Sequence, residues 1–390
     1  MFKTEPNNPE LSNKFIKSDA NMLNQIYGTS QVTPYWIADM AFPVAAPITQ
    51  AMQHLVDRQT LSYEFDSETL FQLIADWNRS QHGLGLNPKR FVQTPRVLSA
   101  IALVIREFTE EGDGVLIQTP VYHQFHRLIS SAGRQVIENP LALNNGHYEI
   151  DFEHLTSQIQ SGKVKMILLC NPHNPVGRVW SKDEMRRLVE LARQRDVLIV
   201  SDEVHGDIVF DDKPFISLAS VDYRNAITLL GSPAKNFGLN SIANGYLYVE
   251  DDGLYQRVKD LVSSMALDHG NAFSTYATIA AYKEGQPWFE QFVSYTQNNR
   301  DWLVQFIQTE LPDVEVTIPE GTNQIWLNFS GLGLEDEALK SLLTIKAKLA
   351  LTPGSWFGEK GSHFYRMNFA VPLSQLKVSM LALKVAVEER

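Results

Sequence analysis

The chain has 390 residues and only one cysteine, Cys170, so no disulfide can form within it. A cysteine-poor chain suits a reducing compartment. Long apolar runs are also lacking: Met166–Cys170 and Val197–Val200 are far too short to span a bilayer. The opening MFKTEPNNPELSNKF has neither the apolar stretch nor the small-residue cleavage pattern of a secretory leader, so a cytoplasmic location is expected. Positive charge is scarce, with 34 Lys and Arg against 45 Asp and Glu and a net charge of −11. That field repels phosphate backbones and anionic lipid, so neither nucleic acid nor membrane is an expected partner. No G-x-G-x-x-G and no G-x-x-x-x-G-K-[ST] occurs, which removes the fingerprints of dinucleotide and P-loop sites. His123 and His126 stand without an H-E-x-x-H motif, and no metal site is expected.

What is present is an ordinary globular mix, 44% hydrophobic and 20% charged. The length suggests two or three domains, large enough to fold on buried apolar surface alone. Helix and strand patterns alternate through the middle. Asp66 or Ser67 can cap a helix with Leu70, Leu73, Ile74 and Trp77 at helical spacing, stopped by Gly83. Val164–Val200 reads as strand, crossover helix and strand. Lys165–Cys170 is apolar, Ser181 and Glu184 form a capping box, and Val197–Ser201 is the next strand. Such a unit makes a parallel pair with a right-handed connection. Ala226–Gly231 adds a further strand. Ligands of such sheets sit beyond the carboxyl ends of the strands, where the polar segments Asn171–Gly177, Asp202–His205 and Ser232–Asn236 fall.

After about Tyr282 the texture changes. Helical segments near Trp288–Leu311 and Glu335–Ala350 alternate with strands near Val314–Ile318, Ile325–Phe329 and Phe364–Ala370, as in a smaller α+β domain. The division expected is a large domain at 48–282 and a small one made of 1–47 and 283–390. The Asn- and Pro-rich opening is expected to lie along the surface as an arm.

Several residues in the strand-end loops could carry chemistry. Lys235, in GSPAKNFG, could condense with a carbonyl if burial or nearby positive charge lowered its pKa; taken alone, a lysine in such a loop is far more often simply solvated. Asp202, ending VLIVSD, could hold a protonated ring nitrogen or simply cap a turn. Asn174, in NPHNPVG, could bond a phenolate oxygen or shape its own turn. Arg366, in FYRMNFA, shares a face with Phe364 and Asn368, opposite Tyr365, Met367 and Phe369. It could clamp a carboxylate bidentately or be a surface arginine. Tyr122 could stack on a planar ring or be half-buried core. Val97 and Leu98 open a helix whose free N–H groups could bind phosphate.

The strings LLCNPHNPVGRVW, SDEVHGDIVF, GSPAKNFG and PEGTNQIWL…LTPGSWFGEKGSHFYRMNFA, in this order, resemble the MalY/PatB group of pyridoxal 5'-phosphate enzymes. That group lies within the class I/II aminotransferase superfamily, and many members are cystathionine β-lyases or other C–S lyases. The resemblance runs from about Trp36 to the C-terminus. It implies the α/β transferase architecture called fold type I, with a mostly parallel seven-stranded sheet and a smaller α+β domain. It implies that Lys235 holds the cofactor covalently, Asp202 pairs with the pyridine nitrogen, and Asn174 and His205 stand by the phenolic oxygen. Tyr122 would stack on the ring, and Ser232 with the N–H groups of Val97 and Leu98 would hold the phosphate. Arg366 would bind the substrate carboxylate. Tyr63 would serve the partner subunit's site in a homodimer. Departures from the group's pattern occur at Ala41 in WIADMAF, at Arg96, at Ser62 and Glu64 around Tyr63, and at Asn236 and Gly238 after the lysine. The expected activity is β-elimination of cystathionine or a related sulfur amino acid to pyruvate, ammonia and a thiol. The alternatives are an aminotransferase using a keto-acid acceptor and a regulatory binding protein on the same scaffold.

Overall fold

The computed structural model describes residues 2–4, 14–242 and 244–390. The expected surface arm falls largely on 5–13, outside the described residues. Among the described residues no helix is long and apolar enough to cross a membrane.

Seven strands form the main sheet: β1 (Phe91–Thr94), β2 (Gly114–Ile117), β3 (Gln135–Glu138), β4 (Val164–Cys170), β5 (Leu198–Asp202), β6 (Ala226–Gly231) and β7 (Gly245–Tyr248). Their order is β1-β7-β6-β5-β4-β2-β3. Only β7 runs antiparallel to its neighbours; the remaining pairs are parallel. The unbroken apolar runs have a physical cause, since both faces of this sheet are covered. Met166, Leu168 and Cys170 enter one core cluster, while Ile167 and Leu169 enter the cluster on the opposite face. Leu198 and Val200 against Val197 and Ile199 divide the same way.

The helix Lys182–Arg193 crosses from β4 to β5. Ser181 Oγ accepts from Glu184 N at 3.2 Å and Glu184 Oε2 accepts from Ser181 N at 2.8 Å, the reciprocal capping box the sequence signals. It buries Met185, Leu188, Val189 and Ala192. The crossover sets β4 and β5 in register with Cys170 opposite Asp202, so their carboxyl ends are level.

A second sheet is antiparallel throughout. It comprises β8 (Glu315–Thr317), β9 (Gln324–Asn328), β10 (Thr352–Pro353) and β11 (Phe364–Asn368), in the order β8-β9-β11-β10. The helices Gln286–Glu310 and Leu373–Glu388 cover it, and Phe292, Leu303, Ile325, Met367, Phe369 and Leu383 share its core.

One expected helix is corrected here. The helical pattern read over Glu335–Ala350 becomes a helix at Asp336–Ser341 and a π turn at Leu342–Lys346. The chain then reverses at Lys348, whose φ is 57°. Leu349–Ala350 forms a short parallel strand with Thr33–Pro34. That pairing carries the 35–41 segment across β11, where Asn368 Nδ2 donates to Ile37 O at 2.8 Å and to Asp39 O at 2.6 Å.

Candidate active site

At the carboxyl ends of β4, β5 and β6 lies a cavity of about 190 Å³. Asn174, Asp202, His205, Ser232 and Lys235 line it, all drawn from the three strand-end loops. Tyr122, Val97 and Leu98 stand in the same wall. Arg366 reaches the same place from β11: its Nη1 donates to Asn174 Oδ1 at 3.1 Å. The structure therefore gathers every residue singled out in the sequence except Tyr63. That tyrosine is 99% exposed and does not line the cavity of its own chain.

Lys235 sits on the short helix Pro233–Phe237, capped by Ser232, whose Oγ accepts from Ala234 N at 3.2 Å. Lys235 Nζ donates to Ala38 O. Burial lowers its pKa to about 8, and the Arg366 guanidinium pushes the same way against Asp39 and Asp202. An ammonium that would be fixed in water thus exchanges its proton near neutrality.

Asp202 is 5% exposed, and its Oδ1 accepts from Val204 N at 3.1 Å. Burial raises its carboxyl to about 6, against the Val204 bond and the charge of Lys235. His205 is buried, and its Nδ1 has no hydrogen-bond partner. Burial, Lys235 and Arg366 together hold its imidazole well below the usual histidine range, so it stays neutral.

Arg366 is buried, with Nη2 donating to Trp36 O at 2.8 Å and to Thr352 Oγ1 at 3.2 Å. Its guanidinium lies 5.0 Å from the Phe357 ring centroid. Among the described residues it has no carboxylate partner, and its Nε is without an acceptor. Burial lowers its pKa to about 10, which leaves it charged at neutral pH. A buried cation without an anion is costly, and an incoming carboxylate relieves that cost.

The helix Val97–Phe108 begins at the cavity with no side-chain cap from Arg96. Its first-turn N–H groups therefore lack an internal acceptor, as an anion site requires. Gly245 on β7 makes this approach possible: a Cβ there would stand 2.7 Å from the Arg96 carbonyl carbon and 2.9 Å from Val97 N.

Ala38, Cys170, Asn240 and Asn244 also line the cavity, and sequence reasoning missed their place in it. Ala38 acts through a carbonyl, which no side-chain signal reveals. Asn244 is fixed by Gln93 Nε2, which donates to its Oδ1 at 3.1 Å, and by Thr278 Oγ1, which accepts from its Nδ2 at 2.8 Å.

Pyridoxal phosphate fits this donor set. A deprotonatable amine, a buried carboxylate, an unpartnered imidazole nitrogen and free helix N–H groups are the four kinds of contact the cofactor asks for.

Comparison with known proteins agrees with the architecture. The family model for aminotransferase class I and II matches residues 40–382. The chain is 32% identical to the cystathionine beta-lyase PatB of Bacillus subtilis (strain 168), over 93% of this chain and 94% of that protein. It is 29% identical to protein MalY of Escherichia coli (strain K12), over 92% of each. The crystal structure of cystalysin from Treponema denticola, which contains pyridoxal 5'-phosphate, superposes with a TM-score of 0.94 at 26% identity, covering 100% of this chain and 99% of that one. With the family model spanning most of its length and the strand-end cavity built as described, this chain belongs to the aminotransferase class I and II family.

Proposed function

We propose that the protein is a pyridoxal-phosphate-dependent C–S lyase that eliminates the sulfur substituent of cystathionine or a related sulfur amino acid, giving pyruvate, ammonia and a thiol. The observation that carries this reading is Lys235, an amine with a pKa near 8 that lines one cavity with Asp202 and Asn174, the asparagine that holds the Arg366 guanidinium. The relatives named above point the same way.

When bound, pyridoxal phosphate supplies an aldehyde for the substrate amine and a ring that takes up the electrons of the Cα–H bond. Lys235 would hold it covalently, Asp202 would pair with its ring nitrogen, and Asn174 and His205 would face its phenolic oxygen. Tyr122 would stack on it, and Ser232 with the N–H groups of Val97 and Leu98 would hold its phosphate. Arg366 binds and orients the substrate carboxylate. Lys235 Nζ, neutral in part near pH 8, takes the Cα proton as general base. Burial raises the Tyr122 pKa, so its phenol keeps its proton and can pass it to the leaving sulfur; Tyr63 is the other candidate for that role.

The supporting arrangement is a homodimer in the cytoplasm, with Tyr63 of the partner subunit completing each site. Leu61, Tyr63 and Phe65 form an exposed apolar stretch suited to such an interface. The cavity would then lie between a large domain at 48–282 and a small one made of 1–47 and 283–390, tied by the Arg366–Asn174 bond.

The assay is pyruvate release from L-cystathionine by holoenzyme. Release without added keto acid supports the lyase. Strict dependence on a keto acid supports transamination, which uses the same Lys235 and Arg366.

A further inference from the structure

Four consecutive backbone carbonyls, from Trp36 to Asp39, each accept from a side chain of the site or of the second sheet. Trp36 O accepts from Arg366 Nη2 at 2.8 Å, and Ile37 O accepts from Asn368 Nδ2 at 2.8 Å. Ala38 O accepts from Lys235 Nζ. Asp39 O accepts from Asn368 Nδ2 at 2.6 Å and from Asn323 Nδ2 at 3.2 Å. One short stretch of chain thus touches both the amine and the guanidinium of the site.

Lys17, on the short 3-10 turn Ile16–Ser18, holds this stretch at two points. Its Nζ donates to Asp39 Oδ1 at 3.0 Å, and its carbonyl accepts from Trp36 Nε1 at 3.1 Å. The two charged side chains are mostly covered, Lys17 at 14% exposure and Asp39 at 20%. Among the described residues, Lys17 is the one cation within ion-pair distance of Asp39.

Asp39 follows directly on the residue that Lys235 touches. The other charged and titratable groups around the Lys235 nitrogen are Asp202 at the end of β5 and Arg366 on β11, with the neutral His205 and Tyr122 and the cation Arg96 in the same cavity wall. Asp39 and Asp202 favour the ammonium, while burial and Arg366 favour the free amine. A cation fixed 3.0 Å from the Asp39 carboxylate cancels part of its field. Lys17 therefore favours the free amine, although it does not line the cavity.

We infer that the Lys17–Asp39 pair is a positioning device for the reaction: it seats the 36–39 stretch against Lys235 and Arg366 and sets how readily the Lys235 nitrogen gives up its proton. Lys17 is the positioning residue, acting through Asp39. The inference rests on the reading of Lys235 as general base and adds to it the pair that tunes the base.

Competitive labelling of cofactor-free protein with trace acetic anhydride, read by peptide mapping over a pH series, gives the protonation midpoint of Lys235. The wild-type midpoint is expected near 8. Lys17→Met leaves the Asp39 carboxylate uncompensated and should raise the midpoint by about 0.5 to 1 on the pH scale. Asp39→Asn removes that carboxylate and should lower the midpoint by a similar amount. Both variants break the same ion pair, so structural damage alone would move them in one direction; opposite movement is the mark of the charge. Lys17→Arg keeps the charge and should hold the wild-type midpoint. Midpoints that stay at the wild-type value in both charge variants, or that move the same way, overturn the inference. Asp39→Asn is nearly isosteric and decides alone if Lys17→Met fails to fold: a midpoint that does not fall overturns the pair. The labelling needs neither cofactor nor turnover. Wild-type holoenzyme that releases no pyruvate from L-cystathionine would therefore sink the lyase reading and leave the labelling result standing.

Discussion

Arg366 Nη1 and Asn174 Oδ1 stand 3.1 Å apart, and this bond joins β11 of the antiparallel sheet to the loop after β4 of the main sheet. Asn174 thus positions the guanidinium that awaits an anion. Lysine at 366 would keep the charge and lose the planar fork. Arg366→Lys should lower kcat/KM for cystathionine by about tenfold or more, chiefly through KM. Steady-state pyruvate release measures it, and an unchanged KM would remove Arg366 from the substrate carboxylate.

The buried carboxyl of Asp202 makes a pH prediction for the cofactor-free protein. Its folded pKa is about 6 against an ordinary value of 3.8, with burial as the main cause. Between these values the folded state binds more protons than the unfolded state. Stability contributed by this group is therefore full below about pH 4 and is lost as pH rises through about 6. Asp202→Asn should abolish that loss and gain about 2–3 kcal/mol relative to wild type between pH 4 and pH 7. Urea midpoints of both proteins at the two pH values check it. A difference that does not grow with pH counts against the assignment.

Gly245 permits the close approach of β7 to the start of the helix at Val97, where a Cβ would meet Arg96 C at 2.7 Å. Gly245→Ala should cost about 1–3 kcal/mol through overpacking. It should also displace the N–H groups offered to the phosphate. Dialysis of the holoenzyme should release cofactor faster from the variant; retention equal to wild type would place the phosphate elsewhere.

Behind Lys235, Asp207 accepts from Trp77 Nε1 at 3.0 Å and from Asn236 Nδ2, and lies 2.5 Å from His82 Nε2. It ties the helix of Lys235 to the helix Ser67–His82. Asp207→Ala strands the buried Trp77 and Asn236 donors and the half-buried His82 and should destabilise the fold by about 3–5 kcal/mol. Asp207→Asn, which keeps an acceptor for one of them, should cost less. Equal urea midpoints for wild type and Asp207→Ala would contradict the clamp.

Much of this architecture was legible in the residue pattern. Continuous apolar runs at 166–170 and 197–200 marked strands covered on both faces, and the polar segments after them fell where the cavity lies. Alternation in FYRMNFA put Arg366 and Asn368 on one face, as observed. The misread helix at Glu335–Ala350 also has a reason. Leu339, Leu342, Leu343, Ala347 and Ala350 continue a helical period in the sequence, while the π turn at Leu342–Lys346 and the reversal at Lys348 break it in the fold. Other features depend on backbone approach between distant segments. The Ala38 carbonyl at Lys235 and the Gly245 contact with Arg96 leave no side-chain pattern to read. Tyr63 has its proposed role only in a second subunit, so a single chain holds no geometry for it.

The central claim is that Lys235 carries the cofactor. Borohydride reduction of protein incubated with pyridoxal phosphate, followed by peptide mapping, tests it most directly. A stable cofactor adduct on the peptide containing Lys235, absent from Lys235→Ala, is the predicted result. A protein that stays colourless, or an adduct on some other lysine with Lys235 unmodified, would contradict it.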